Sequence, residues 1–106
     1  MYHLLRQKAS ALEPALHKLA CELIGIPSPS FSEGKVADTV ISALDSLSYD
    51  RVFKDNAGNV VGCIFGRNYN PTLLLISHMD TCGDDNQNNS NRFRIENGLL
   101  YGTGAA

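Results

Sequence analysis

Residues 73–84 read Leu-Leu-Leu-Ile-Ser-His-Met-Asp-Thr-Cys-Gly-Asp. Four large aliphatic side chains in succession, with no polar alternation, fit a strand covered on both faces, as in the middle of a sheet flanked by helices. A buried helix is the alternative, but the four residues between Pro71 and a Gly-containing loop are too few for one. In a sheet of that kind, side chains converge in the crevice beyond the carboxyl ends of the strands, and His78 stands there. Side chains two apart on an extended backbone point the same way, which puts Asp80 beside the His78 ring. A metal-binding imidazole needs this arrangement. One ring nitrogen takes the metal, and the other donates its proton to a carboxylate that fixes tautomer and orientation. Spacing alone is a weak signal, because loop His–Asp pairs are common on surfaces. One imidazole also does not hold zinc, since a catalytic site ordinarily uses three protein ligands and an open position for water.

Outward from this stretch, the chain carries 106 residues, 43% hydrophobic and 19% charged, which is enough for one globular domain. The formal net charge is −2 and the Lys and Arg residues are scattered singly, so no basic stripe is available to neutralise nucleic-acid phosphates. Cys21, Cys63 and Cys82 are odd in number and lack CxxC spacing. They suggest neither a disulfide framework nor a zinc knuckle, and a reducing compartment fits best. No apolar run approaches the roughly 20 residues needed to span a bilayer, and the first residues lack the unbroken apolar segment of a secretion signal. The expectation is a cytoplasmic protein with no membrane and no nucleic-acid partner.

Leu12, Leu16, Leu19, Ala20 and Leu23 recur at helical spacing, with Pro14 near the start of the helix and a break or kink near Glu13. Ser10 and Glu13 have capping-box spacing. This helix should stop around Gly25, because Ile26-Pro27-Ser28-Pro29 forces extended backbone. Ser30 and Glu33 form a second capping-box pattern ahead of a helix with Val36, Ala37, Val40, Ile41, Leu44 and Leu47 on one face. Arg51 to Lys54 and Asn59 to Phe65 are expected to pair as a hairpin through the turn Asp55-Asn56-Ala57-Gly58. Phe93 to Glu96 and Leu99 to Tyr101 should pair through Asn97-Gly98. The polar run from Asp84 to Asn91 has nothing to bury. The fold class expected is α/β, with helices packed on a mixed, largely parallel sheet.

Four stretches together carry a resemblance. They are Ile26-Pro27-Ser28-Pro29-Ser30 after a helix, Asp55-Asn56-Ala57-Gly58-Asn59-Val60 in a hairpin, Ser77-His78-Met79-Asp80-Thr81 after an apolar run, and Asn97 through Ala106. In order and spacing they resemble the start of the zinc-dependent aminoacylase and carboxypeptidase family, which includes acetylornithine deacetylase, succinyl-diaminopimelate desuccinylase, glutamate carboxypeptidase and the di- and tripeptidases. The resemblance covers nearly the whole chain and is far more specific than His-x-Asp alone.

The resemblance implies that His78 is a ligand of one metal in a two-metal site and that Asp80 is the carboxylate behind it, assigned here to the catalytic set. The implied cofactor is Zn2+, two ions per complete site, with Co2+ or Mn2+ as alternatives that one imidazole does not discriminate. The implied partner is a small-molecule substrate, an N-acyl amino acid or short peptide. In the family, the Gly-x-Gly-x-x stretch leads directly into an aspartate bridging both metals, and Gly102 to Ala106 ends one residue short of it. The other ligands, the glutamate general base, and a smaller lid or dimerisation domain through which a homodimer would form are expected beyond Ala106. These residues are therefore expected to be the amino-terminal portion of a metallohydrolase catalytic domain, inactive by themselves. The rival expectation is a truncated, non-catalytic α/β binding or interaction module.

Cys82, Asp84 and Asp85 lie near His78 in sequence, but an Asn-rich loop is a poor scaffold for fixed coordination, and they are set aside as ligands. His3 and His17 sit in helical sequence with no partner at metal spacing. Cys21 and Cys63 read as small packing residues. Gly102 and Gly104 suggest a close backbone approach but no phosphate loop.

Overall fold

The structure is a computed structural model that describes residues 1–82 and 93–105. The polar run expected from Asp84 to Asn91 lies outside the described residues. Among the described residues the elements are three helices and two small antiparallel sheets: α1 (Tyr2–Ala11), α2 (Glu13–Gly25), α3 (Gly34–Ser46), β1 (Arg51–Lys54), β2 (Val60–Cys63), β3 (Phe93–Glu96) and β4 (Leu99–Gly102). The chain is thus mixed α and β. It divides into two compact units, one comprising Met1–Ile26 with the second hairpin, and the other beginning at Pro27 and holding α3 and the first hairpin.

In the first unit, the expected break falls at Leu12, which ends α1 and starts α2 with Pro14 in the first turn. Proline is tolerated there because the early amides of a helix have no intrahelical acceptor to lose. The Ser10–Glu13 capping box does not form, since neither helix has a side-chain cap. Chain continuity explains this: α1 runs through Ser10, and its backbone is already committed to helical bonds. The apolar stripe of α2 is covered only toward its end. Leu19, Ala20 and Leu23 are half-buried, while Leu12 and Leu16 are exposed. Gly25 lets the Phe93 ring of β3 approach, with Cε1 3.7 Å from where a β-carbon would sit. Hairpin β3–β4 pairs Glu96 with Leu99 around Asn97 and Gly98, whose φ values of 52° and 75° are those of the primed turn that matches strand twist.

In the second unit, α3 lies on the β1–β2 hairpin. Val36 and Ala37 are its buried hydrophobic residues, with Val40, Ile41 and Leu44 half-buried along the same face and Leu47 exposed. The hairpin pairs Arg51 with Cys63 and Lys54 with Val60, so β2 is shorter than the expected Asn59 to Phe65. At Gly62 an added β-carbon would lie 2.9 Å from Tyr49 Cδ1 and 3.0 Å from Leu44 Cδ1. Gly62→Ala should therefore push the Tyr49 ring off the hairpin and destabilise this unit by about 1–3 kcal/mol, the usual range for an overpacked contact. Urea denaturation followed by circular dichroism reads the effect. An unchanged midpoint would mean that the ring moves aside freely.

The turn of this hairpin is organised by one carboxylate. Asp55 Oδ1 accepts the amides of Ala57 and Asn59, each at 2.9 Å, and Oδ2 accepts the Asn59 side-chain amide at 2.9 Å. These bonds, the Asn59 side chain foremost, hold the Asp55 carboxyl below its ordinary range. A carboxyl whose folded pKa is depressed contributes stability above the unfolded value, and the contribution disappears as pH falls through the folded value. Acidification below about pH 4 should thus loosen the turn at residues 55–59. Amide exchange at Ala57 and Asn59 should accelerate in wild type, and Asp55→Asn should lack this acid step. A step of the same size in the variant would assign it to another group.

The largest departure from the sequence expectation concerns Leu73 to Ile76. They form no strand, and their side chains are 82%, 75%, 83% and 85% exposed. No parallel pairing occurs among the described residues; both sheets are two-stranded and antiparallel. The physical reason is pairing. An apolar run becomes a central strand only when neighbours complete its backbone hydrogen bonds on both edges and cover both faces. Here each of the four strands is bonded to its own hairpin partner, and none is paired to residues 73–76.

Candidate metal-binding site at His78

His78 follows the apolar run in a segment without regular structure, so it is not delivered by a strand end as the sequence suggested. The pair nevertheless meets. His78 Nδ1 lies 3.2 Å from Asp80 Oδ1 and 2.8 Å from the Asp80 backbone oxygen. The imidazole is 81% exposed and the aspartate side chain 40%. A backbone oxygen accepts only, and an ionised carboxylate accepts only. Nδ1 faces both, so in the neutral ring it carries the proton and Nε2 keeps its lone pair.

The other Asp80 oxygen has a partner too. Ser30 Oγ donates to Asp80 Oδ2 at 2.6 Å across fifty positions of sequence. This bond is the main reason that the Asp80 carboxyl sits below its ordinary range, with smaller help from the backbone and the His78 ring and some opposition from desolvation. The segments carrying Ser30 and Asp80 are tied nearby as well. The Thr81 amide donates to the Ser28 carbonyl at 2.8 Å, and the Ser28 and Thr81 hydroxyls lie 3.4 Å apart, with Ser28 fully buried.

Ser30 therefore does not cap α3, as its spacing from Glu33 had suggested. The residue at the helix cap is Glu33, with no side-chain cap bond, and its carboxylate accepts the Phe31 amide at 2.9 Å. Ser30 is the one member of the site that sequence reading assigned elsewhere. Its only sequence signal is its place in the Pro-Ser-Pro-Ser stretch, and nothing local links that stretch to Asp80.

Among the described residues, no three His, Cys, Asp or Glu side chains converge at metal distance. What these residues offer a metal is one imidazole, open to solvent and backed by a carboxylate, whose Nε2 carries the lone pair when the ring is neutral with its proton on Nδ1. That donor suits Zn2+ as a single ligand. Cys82 is exposed and free, while Asp84 and Asp85 fall outside the described residues. His17 approaches Glu13 at 3.9 Å on an exposed helix face, and His3 meets Tyr2 edge-on. Gly104 takes a φ of 83° in a turn where the Ala105 amide donates to the Gly102 carbonyl. No helix of the described residues is long and apolar enough to cross a membrane.

Comparison with known proteins finds two curated relatives. Both carry the name Uncharacterized protein YgeY, one from Escherichia coli strain K12 and one from Escherichia coli O157:H7. Each is 28% identical over 89 residues, covering 83% of this chain and 21% of the relative. The chain thus spans about a fifth of the length of the curated relatives it matches. No family model and no solved structure matches it.

Proposed function

We propose that this chain is the amino-terminal portion of the catalytic domain of a zinc-dependent amidohydrolase or exopeptidase that cleaves an amide bond in N-acyl amino acids or short peptides. The observation that carries the reading is the His78–Asp80 pair, an exposed imidazole whose Nδ1 proton is spent on Asp80, leaving Nε2 as a donor. The four sequence stretches that resemble the aminoacylase and carboxypeptidase family support it, as does the much greater length of the matched relatives.

In this reading His78 Nε2 holds one of two metal ions, and Asp80 keeps the ring in the tautomer that presents that nitrogen. The metal, when bound, supplies a Lewis acid for the scissile carbonyl and acidifies water. The remaining ligands and the general base come from other parts of a longer polypeptide, along with any domain that mediates a homodimer. Three free cysteines accord with a cytoplasmic setting. The exposed apolar run at Leu73 to Ile76 favours a second reading, a non-catalytic module that docks on a partner.

Two measurements separate these readings. Codons after Ala106 that continue with an aspartate and, further on, a paired-glutamate stretch support the hydrolase; a stop codon there overturns it. Hydrolysis of N-acetyl amino acids and dipeptides by the full encoded polypeptide should disappear with a chelator and return with added Zn2+. A polypeptide that takes up no Zn2+ and hydrolyses none of these substrates would leave the module.

A further inference from the structure

Ser30 sits in a piece of backbone held out of its ordinary conformation. Phe31, the next residue, has a φ of 68° with its side chain fully exposed. A bulky residue there is strained and persists only where its surroundings over-determine it. Two bonds hold this bend, from the Phe31 amide to Glu33 Oε1 and from the Ser32 amide to the Pro29 carbonyl, each 2.9 Å. The bend releases the Ser30 side chain from helix capping and leaves its hydroxyl on the Asp80 carboxylate.

A carboxylate rotates in a broad, two-fold well about its last torsion, so its own backbone does not fix the angle of its plane toward the ring. A short hydrogen bond to one oxygen narrows that rotation. It leaves Oδ1 toward His78 Nδ1, and being charge-assisted it is stronger than an ordinary hydroxyl bond. The Ser28–Thr81 contacts also tie the two segments, so the Ser30 bond is not alone in holding them together. Its distinct contribution is orientation.

We infer that Ser30 is a positioning residue, whose hydroxyl sets the Asp80 carboxylate and through it reinforces, beside the Asp80 backbone oxygen, the His78 tautomer that has its proton on Nδ1 and the Nε2 lone pair free. What Nε2 then binds rests on the hydrolase reading; the Ser30–Asp80–His78 relay itself does not.

The test compares wild type with Ser30→Ala, Ser30→Thr and Ser28→Ala in the full encoded polypeptide. Nitrogen-15 NMR of the His78 ring reports which nitrogen holds the proton, and competition with a chromophoric chelator reports affinity for Zn2+. In Ser30→Ala the Nδ1–H form should be weakened but not lost, because the Asp80 backbone oxygen, 2.8 Å from Nδ1, still accepts from it. Zn2+ affinity should fall about tenfold, the lower end of what loss of a supporting partner costs. Ser30→Thr keeps the hydroxyl and should restore both, and Ser28→Ala should lower stability while leaving the tautomer in place.

An unchanged tautomer and unchanged affinity in Ser30→Ala would overturn the inference. So would an equal tautomer shift in Ser28→Ala, which would make the effect one of loop integrity. If wild type binds no Zn2+ but Ser30→Ala still shifts the tautomer, the hydrolase reading falls and the relay stands.

Discussion

Replacing His78 with alanine should lower the Zn2+ affinity of the full encoded polypeptide by at least about 100-fold, and amide hydrolysis with it, because a ligand lost outright costs more than the 10–100-fold typical of its supporting partner. The imidazole reaches solvent almost entirely, with its second nitrogen already engaged by Asp80, so no neighbouring group among the described residues replaces Nε2 once it is gone. The effect should appear in metal content first and in kcat/KM as a consequence, with excess Zn2+ recovering part of the activity. Asp80→Ala belongs on the same scale but lower, about 10–100-fold in affinity, since the ring remains but loses its carboxylate support and is held by the residue 80 backbone oxygen alone. Equal Zn2+ content and equal hydrolysis in wild type and His78→Ala would remove this residue from the mechanism. Because the ring packs against no core, thermal stability should not change, and a large drop in melting temperature would point to a structural role instead.

The second large effect lies away from the site. Val36→Asp should abolish the cooperative unfolding transition of the unit built on α3 and the first hairpin. Val36 is 5% exposed and Ala37 1%, and they are the buried hydrophobic residues of the described chain. A carboxylate placed there would be buried, and an uncompensated buried charge costs about 3–5 kcal/mol. Against a core this small, that is enough to unfold the unit. Val36→Ala, which removes two methyl groups, should cost about 2 kcal/mol and keep the fold. Circular dichroism during urea titration distinguishes the two. A Val36→Asp variant with a wild-type midpoint would show that the helix face is not what holds this unit together. Loss of this unit should also scramble the Ser28–Thr81 and Ser30–Asp80 bonds, so the same variant is expected to lose Zn2+ affinity indirectly.

Local patterns in the sequence were sufficient for most elements. The apolar spacing from Val36 to Leu44 names the face that α3 buries, Pro14 marks the start of α2, and Asn97-Gly98 sets the register of the second hairpin. Each of these is decided within a few residues by periodicity, proline sterics or the positive φ that a tight turn demands. The pairing of His78 with Asp80 was legible for the same reason, because the two are separated by a single residue. The capping boxes at Ser10 and Ser30 were misleading. Their spacing is real, but in both cases the side chain or backbone has another commitment, one to a continuing helix and one to Asp80.

What the sequence determined alone, then, is the set of short-range structures and the identity of one imidazole–carboxylate pair. Tertiary structure decided the rest: that Ser30 serves Asp80 and not its own helix, that α3 and not α2 has a buried face, and that Leu73 to Ile76 stay exposed and unpaired among the described residues. The physical reason is range. A helix or tight turn satisfies its backbone from neighbours a few residues away, whereas a strand edge, a buried face or a cross-chain hydroxyl bond is completed only by groups that folding brings from far along the chain.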